Sequence, residues 1–216
     1  MKTTELMIFD LDGTLVDSKD DLTAAVNFIR RKYTLSDINS TEVASYLGNG
    51  IRRLIDSVLP NELSKEDKQN AFLMFNEYYS EHLLDTTYVY PGIFDMLKAL
   101  PSIKKAVLSN KTEVYTKKII EKLGLAEYFI KICGGDTFPE KKPSCLPINS
   151  IIKELNVKKD RTVMVGDGIN DILCGKSAGI STIAVLYGYS SKAKIEANSP
   201  SFIASNPSDI LDFLQK

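Results

Sequence analysis

The sequence contains a single histidine, His82, among its 216 residues. It also has no G-x-S-x-G segment, the sharp turn that carries the nucleophilic serine of many α/β hydrolases. His82 lies alone in a charged, helical stretch, so we expect it at the protein surface. A Ser-His-Asp triad is therefore not expected to be the basis of any catalysis by this chain.

Cysteine is also rare, and neither sign of charge predominates. Cys133, Cys145 and Cys174 form no C-x-x-C pair and have no histidine beside them. Their odd number and their spacing match no zinc pattern, so we expect free thiols in a reducing compartment. The formal net charge is -1, which provides no positive field for nucleic acid. We therefore expect no nucleic-acid partner.

Long hydrophobic runs are missing as well. The N-terminal segment has one lysine and then four consecutive apolar residues before Asp10, which is too short for the core of a signal peptide. No later run is long enough to cross a bilayer, and no run of Lys and Arg indicates a membrane surface. These absences predict a cytoplasmic protein with no membrane partner. We expect it to be a monomer or a weak dimer.

The chain does contain the ordinary proportions of a globular protein, 44% apolar and 25% charged residues. Residues 18–87 carry helix signals and no convincing strand. Ser18 with Asp21, and Ser64 with Asp67, have the spacing of capping boxes and predict two helix starts. Between them, "GIRRLIDSVL" has apolar residues at helical spacing.

From about residue 88 onward, β-prone apolar runs alternate with helical segments. They extend from "KKAVLSN" and "TEVYTKKIIEKLGL" to "STIAVLYG" and a helical tail. Continuous apolar strands separated by helices predict a parallel sheet with helices on both faces, and residues 5–10 form its first strand. The predicted fold is α/β, with a Rossmann-like doubly wound parallel sheet formed by residues 1–14 and 88–216. Residues 15–87 form a small all-helical insertion after the first strand.

Polar residues follow several of the predicted strands. Ligands of an open α/β sheet bind beyond the carboxyl ends of the strands, so these residues are the candidate site. They are carboxylates, small hydroxyls, glycines, an amide and lysines: Asp10, Asp12, Gly13, Thr14, Ser109, Asn110, Lys111, Asp136, Lys141, Lys142, Gly166, Asp167, Gly168 and Asp171. Each type is common in loops, but their joint occurrence at one edge of a sheet predicts a binding site.

Several carboxylates in one site require a counter-charge. Unit charges about 4 Å apart interact by about 4 kcal/mol at an effective dielectric near 20. Asp10, Asp12 and Asp167 would therefore favour a cation, and Mg²⁺ typically takes one or two carboxylates with water and a phosphate oxygen. A lysine, small hydroxyls and glycine amides beside the metal suit a phosphoryl group. The pattern predicts a Mg²⁺ cofactor and a small phosphorylated metabolite as the partner.

The same segments resemble the motifs of the haloacid dehalogenase-like hydrolases. "FDLDGTLVDS" resembles the family's D-x-D-G-T motif, Ser109-Asn110-Lys111 the second motif, Lys142 before Pro143 the third, and "VGDGIND" the fourth. Within the family, segments such as "SNKTE" and "GGDTFPEKKP" are most similar to the phosphoglycolate phosphatase branch, whereas "KPSCLP" and "YGYSSK" depart from it. The insertion at 15–87 is similar to the small helical cap of that branch.

The resemblance implies covalent catalysis by Asp10 and Asp12. Asp10 would attack phosphorus and form an aspartyl phosphate, and Asp12 would protonate the leaving alkoxide and then activate water. Residues i and i+2 of a strand point the same way, which lets both carboxylates face one site. The implied metal ligands are Asp10, the main-chain carbonyl of Asp12, and Asp167, with Asp171 on the metal's water shell or on the lysine.

Phosphate and substrate contacts are implied elsewhere in the chain. The predicted phosphate ligands are Gly13, Thr14, Ser109, Asn110 and Lys142. Lys142 is preferred over Lys141 because Pro143 constrains its backbone. The predicted substrate contacts on the cap are Asn49, Gly50, Arg52 and Arg53, with an arginine fork on a substrate carboxylate.

Other functions remain open from the sequence. A sister enzyme, such as an inorganic pyrophosphatase, a nucleotidase or a sugar phosphomutase, would use the same phosphate site. A phospho-aspartate signalling module also places Asp, Ser or Thr, and Lys at strand ends, but Asp12 would destroy the long-lived phosphate that a switch needs. Hydrolysis of 2-phosphoglycolate is the preferred prediction.

Overall fold

The computed structural model describes residues 4–214 of the chain. Its strands are β1 (Leu6–Phe9), β2 (Val16–Asp17), β3 (Tyr88–Val89), β4 (Lys104–Leu108), β5 (Lys131–Cys133), β6 (Thr162–Gly166), β7 (Ser181–Val185) and β8 (Phe202–Ala204). Six of them form one sheet in the order β5-β4-β1-β6-β7-β8, and all neighbouring pairs in it are parallel. The predicted α/β fold is confirmed. β2 and β3 form a separate antiparallel pair.

β1 lies inside this sheet and is buried on both faces. All four residues of "LMIF" are fully buried, as expected for a continuous apolar strand covered by helices on both sides. Its neighbours are β4 and β6, with Phe9 opposite Val107 and Val165. The chain runs outward from β4 to β5 and then crosses to β6 on the other side of β1. This reversal of strand order opens a crevice at the carboxyl ends of β1, β4 and β6.

Ten α-helices occur within residues 4–214. They are α1 (Lys19–Lys32), α2 (Ser40–Ser45), α3 (Ile51–Val58), α4 (Lys65–His82), α5 (Ile93–Lys98), α6 (Glu113–Lys122), α7 (Leu146–Glu154), α8 (Ile169–Ala178), α9 (Lys192–Ala197) and α10 (Asp209–Leu214). α1–α4 lie between β2 and β3, the part of the chain predicted to be the cap. The cap boundaries at 15 and 87 stay a prediction. None of the described helices is long and apolar enough to cross a membrane.

Helical spacing of apolar residues explains α3 and α4. The buried faces consist of Ile51, Leu54, Ile55 and Val58 on α3, and of Ala71, Phe75 and Tyr79 on α4. Such a stripe stabilises a helix when it packs against a neighbour. α4 packs against α1 and α3, and both stripes belong to the same apolar cluster as Met7 and Phe9 of β1. The helices of the predicted cap and the sheet therefore share one continuous core.

The predicted capping box of Ser18 and Asp21 is wrong, although α1 does begin there. The Ser18 side chain makes no capping hydrogen bond, and its hydroxyl donates to Asp12 instead. The buried Asp21 carboxylate accepts from the backbone N–H groups of Thr86 and Thr87, each at 2.9 Å, and from both threonine hydroxyls. Ser18 and Asp21 therefore bind groups outside α1 instead of forming the local capping hydrogen bonds. At the start of α4 the prediction holds, because the Ser64 hydroxyl accepts from the N–H of Asp67 at 3.0 Å.

The contacts of Asp21 lead to a stability prediction. Asp21→Ala is expected to lower the free energy of unfolding by about 2–4 kcal/mol, because the buried Thr87 loses its acceptor and α1 loses its link to 86–87. The exposed neighbour Asp20 provides the control, and Asp20→Ala is expected to change stability by less than about 0.5 kcal/mol. Urea denaturation followed by circular dichroism measures both. Equal effects of the two variants would contradict this role of Asp21.

The predicted helical tail contains a strand that the sequence analysis did not identify. β8 pairs with β7, with Ala204 opposite Val185, and forms one edge of the sheet. It has three residues, too few for a recognisable pattern of hydrophobicity. α9 and α10 flank it, so the tail is helical on both sides of this strand.

Candidate active site

The carboxyl ends of β1 and β6 bring three carboxylates together. Asp10 directly follows β1, Asp167 directly follows β6, and Asp171 lies in the first turn of α8. One oxygen of each lies within 4.8 Å of the others, and all three side chains are buried. Ionised carboxylates offer hard oxygen atoms and no donors, which is the ligand type that Mg²⁺ and Ca²⁺ bind. These three residues fit a divalent cation, and we name them the acidic cluster.

Gly13 allows this close approach of two strand ends. Its φ is +80°, a backbone conformation that residues with a side chain rarely adopt. A Cβ atom at this position would lie 2.4 Å from the Asp167 carboxylate, which is closer than any real contact. The glycine after the two aspartates therefore has a packing role, because it lets the β1 loop lie against the end of β6.

Burial makes the acidic cluster electrostatically costly. The pKa of Asp10 is raised well above its usual value, first by burial and then by the charge of Asp171. Burial, followed by the same Asp171 charge, raises the pKa of Asp167 to about 7. Both shifts show that the negative charge here is not fully compensated by the protein's own groups. A bound cation would lower both pKa values, which supports the fit of the cluster to a metal.

Lys142 is the protein's own counter-charge to the cluster. Its Nζ lies 2.9 Å from Asp10 and 2.6 Å from Asp171, and the side chain is almost fully buried. Burial disfavours its charge, but the carboxylates of Asp10 and Asp171 outweigh that effect and raise its pKa. Lys142 is therefore a cation at the site. Lys141 is exposed and donates instead to the Asn49 carbonyl at 2.7 Å.

Side chains from the core hold the loop 48–50 over the site. Asn110 donates to the Gly48 carbonyl at 2.8 Å, and Asn170 donates to the same carbonyl at 2.9 Å. Together with the contact from Lys141, they tie the loop to three strand-end segments of the core. The loop and the strand ends enclose a cavity of about 300 Å³. Its polar floor includes Asp10, Asp12, Ser109, Lys111, Lys142, Asp167 and Asp171, and its apolar wall includes Leu22, Ala44, Leu47, Ile51 and Leu54.

Residues 7–185 of the chain match the haloacid dehalogenase-like hydrolases. The chain belongs to this family. It is 34% identical over 216 residues to a phosphoglycolate phosphatase of Vibrio vulnificus (strain YJ016), and the match covers 96% of this chain and 95% of that relative. It is 37% identical over 211 residues to a phosphoglycolate phosphatase of Aquifex aeolicus (strain VF5), covering 97% and 96% of the two chains.

Solved structures agree with this assignment. A crystal structure named as a predicted phosphoglycolate phosphatase from Haemophilus somnus 129PT has a TM-score of 0.94 at 29% sequence identity, over 99% of both chains. A haloacid dehalogenase-like family hydrolase from Streptococcus pneumoniae shares the fold with a TM-score of 0.88 over the whole of both chains. The predicted family, its phosphoglycolate phosphatase-like branch and the predicted enzyme class, a phosphatase, are confirmed.

The hydrolase contains a second, partly buried ion pair, between Asp12 and Lys111, a lysine of the candidate site to which the sequence assigned no role. Lys111 directly follows Asn110, and its Nζ lies 2.8 Å from Asp12 and 2.7 Å from the Tyr79 hydroxyl. Burial opposes the charge of Lys111, but Asp12 outweighs it and raises the pKa of the lysine. Its place at a strand end was a signal in the sequence. Tyr79 gave no such signal, because its α4 spacing resembles that of any core residue.

Two predicted phosphate ligands have other partners in the structure. The Thr14 hydroxyl donates to Asp167 at 3.3 Å, and Thr14 does not line the cavity. The Asn110 amide donates to the Gly48 and Lys142 carbonyls, at 2.8 and 2.9 Å. Both donors are taken by backbone carbonyls, so the Asn110 side chain links the loop to Lys142 in this structure. Ser109, Asn110 and Lys142 do line the cavity, as does Asp12, and their contacts with a phosphate stay a prediction.

The predicted contact of cap arginines with the substrate stays a prediction, and neither arginine lines the cavity in this structure. Arg52 donates to Gln69 at 3.0 Å, and its guanidinium lies 4.0 Å from the centre of the Phe72 ring, outside the cavity. Arg53 is exposed and also does not line the cavity. Their helix, α3, buries its apolar face, and both arginines lie on its exposed side. Asn49 and Gly50 do line the cavity.

Proposed function

We propose that the protein is a Mg²⁺-dependent phosphomonoester hydrolase that acts through an aspartyl phosphate on a small phosphorylated metabolite. The observation that carries this proposal is the buried acidic cluster with Lys142 on one side and the Asp12–Lys111 pair on the other, all facing one cavity. The relatives named phosphoglycolate phosphatases support 2-phosphoglycolate as the preferred substrate. A cytoplasmic location and a monomer or weak dimer stay predictions from the sequence.

Asp10 is the proposed nucleophile. Its Oδ1 atom accepts from the Leu11 N–H at 2.7 Å and from Lys142 at 2.9 Å, which fixes the orientation of the carboxylate. No described residue donates to Oδ2, so this oxygen is available to attack phosphorus. Asp10, Asp167 and Asp171 would hold Mg²⁺ by their carboxylates, with the Asp12 carbonyl as the further ligand that the sequence predicts. When bound, the metal supplies positive charge that offsets the repulsion between the phosphate and the carboxylates.

Asp12 is the proposed general acid and base. Its carboxylate lines the cavity, and Lys111 and Ser18 both contact Oδ1. Within residues 4–214, no donor is directed to Oδ2, which leaves this oxygen to deliver a proton to the leaving alkoxide and to take one from water. Lys111 is in turn fixed by the Tyr79 hydroxyl, so a residue of α4 contributes to the orientation of the acid. Ser109 and Lys142 are positioned on the cavity floor to contact phosphoryl oxygens.

Metal removal tests the proposed class of reaction. The purified protein is expected to hydrolyse p-nitrophenyl phosphate with Mg²⁺, to lose at least about 99% of that activity after thorough chelation with EDTA, and to regain it on addition of Mg²⁺. Calcium is the matched control cation, because it also binds oxygen ligands but does not require the octahedral coordination that Mg²⁺ requires. Full activity after chelation would remove the metal from the mechanism. An absence of phosphate release with any monoester would favour the signalling module.

The role of Asp12 is tested by its dependence on the leaving group. Asp12→Asn keeps the size of the side chain and an oxygen for Lys111, but it cannot transfer a proton. We expect kcat to fall by about 10²- to 10⁴-fold for an alkyl phosphate and by clearly less for p-nitrophenyl phosphate, whose leaving group needs no proton. Steady-state kinetics with both substrates measure the difference. Equal losses for the two leaving groups would rule out Asp12 as the general acid.

A further inference from the structure

The cavity contains one lysine that the proposed chemistry does not use. Within residues 4–214, three lysines line it, and two of them, Lys111 and Lys142, are paired with carboxylates at 2.6–2.9 Å. The third is Lys194 of α9, an exposed residue whose ammonium group makes no ion pair or hydrogen bond with any residue in this range. Lys194 is therefore a positive charge on the cavity wall that the described part of the protein does not neutralise.

The lining residues from 22 to 54 offer nothing equivalent. They carry no charge, and five of them, Leu22, Ala44, Leu47, Ile51 and Leu54, are apolar. Arg52 donates to Gln69, neither Arg52 nor Arg53 lines the cavity, and Lys141 donates to the Asn49 carbonyl. Around the acidic cluster, the cavity therefore offers a substrate apolar carbon from residues 22–54 and the segment that carries Lys194.

This segment, residues 187–194, is anchored against the catalytic loops. Gly188 allows the approach, because a Cβ atom there would lie 2.3 Å from both the Gly13 carbonyl and Asp167. The next residue, Tyr189, donates its N–H to Asp167 at 2.7 Å, and its hydroxyl accepts from the Ser18 N–H at 2.9 Å. Tyr189 and Ser190 line the cavity next to Lys194. The wall that carries Lys194 is thus attached directly to the acidic cluster.

We propose that Lys194 recognises a second anionic group of the substrate and makes the enzyme selective for phosphomonoesters that carry one. This inference rests on the proposed phosphatase function and assigns the selectivity to α9 rather than to the arginines of α3. A carboxylate one carbon away from the ester oxygen, as in 2-phosphoglycolate, fits a cavity of about 300 Å³. A second phosphate group has the same charge chemistry and is the alternative source of the anion.

The test compares substrates that differ in the second group. 2-Phosphoglycolate carries a carboxylate, ethane-1,2-diol bisphosphate carries a second phosphate, and 2-hydroxyethyl phosphate is the neutral counterpart of similar size. The wild-type enzyme is expected to show a higher kcat/KM for an anionic member than for the neutral one. In Lys194→Met, the ratio of kcat/KM for anionic over neutral substrate is expected to fall by roughly five- to thirtyfold, mainly through KM.

Lys192 provides the matched control. It lies on the same helix and is exposed, as Lys194 is, but it does not line the cavity and pairs with Glu196 at 3.7 Å. Lys192→Met is expected to retain the wild-type ratio, whereas Lys194→Glu is expected to lower it further than Lys194→Met. Loss of selectivity for the bisphosphate alone would identify phosphate as the second anion.

The possible failures can be told apart. An unchanged substrate ratio in Lys194→Met, or the same change in Lys192→Met, would overturn the role of Lys194 while leaving the phosphatase intact. A wild-type enzyme that prefers 2-hydroxyethyl phosphate to both anionic substrates would also overturn it. If the wild-type protein hydrolyses none of the three substrates and no p-nitrophenyl phosphate, the proposed function itself fails.

Discussion

Asp10→Asn is expected to abolish phosphatase activity while leaving the fold intact. An amide cannot attack phosphorus, and it also removes one negative ligand from the acidic cluster, so kcat is expected to fall by at least about 10⁴-fold. Phosphate release measured at enzyme concentrations in the micromolar range gives sufficient sensitivity. Retention of more than a few per cent of the wild-type activity would contradict an aspartyl-phosphate mechanism at this residue.

Asp10→Asn is not expected to destabilise the metal-free protein, although it is expected to abolish activity. The raised pKa of Asp10, caused by burial and by Asp171, means that its charge destabilises the metal-free folded state at neutral pH. The neutral asparagine removes that cost. In EDTA, the free energy of unfolding of Asp10→Asn is therefore expected to equal or exceed that of the wild type. A large loss of stability instead would mean that the activity loss reports misfolding, and the kinetic result would then carry no mechanistic weight.

Lys142→Met is the second substitution with a large expected effect. The lysine lies between Asp10 and Asp171 and is the only described cation that contacts either carboxylate. Its removal leaves a phosphoryl group without its point charge, so we expect kcat/KM to fall by about 10³-fold. It also leaves buried carboxylates without their counter-charge, which is expected to lower the metal-free stability by about 3 kcal/mol. Added Mg²⁺ is expected to restore part of that stability but not the activity.

Lys141→Met is the matched control for this experiment. The two lysines are adjacent, but Lys141 is exposed and contacts the Asn49 carbonyl rather than a carboxylate. An exposed contact of this kind contributes little, so a loss of at most about fivefold in kcat/KM is expected. Steady-state kinetics and urea denaturation with and without Mg²⁺ measure both variants. Similar losses for Lys141→Met and Lys142→Met would contradict the assignment of the catalytic cation to Lys142.

The strands β1, β4 and β6 and the polar residues that follow them were predictable, because buried parallel strands are continuous apolar runs and their ends are polar. The absence of the capping box at Ser18 and Asp21 was not predictable, because Thr86 and Thr87, which bind Asp21 instead, lie more than sixty residues away along the chain. β8 was missed because a three-residue edge strand has no periodicity.

Local sequence patterns determined which elements this protein forms and which chemical groups lie at the strand ends. The order of strands brings those ends to one crevice, so Asp10, Asp167 and Lys142 could be grouped before any distance was known. The direction of each side chain was decided by tertiary packing. Arg52 lies outside the cavity because α3 buries its opposite, apolar face. Tyr79 contacts Lys111 because α4 packs against the core. Lys194 lines the cavity because Gly188 lets its segment approach Asp167, a contact that spacing along the chain does not contain.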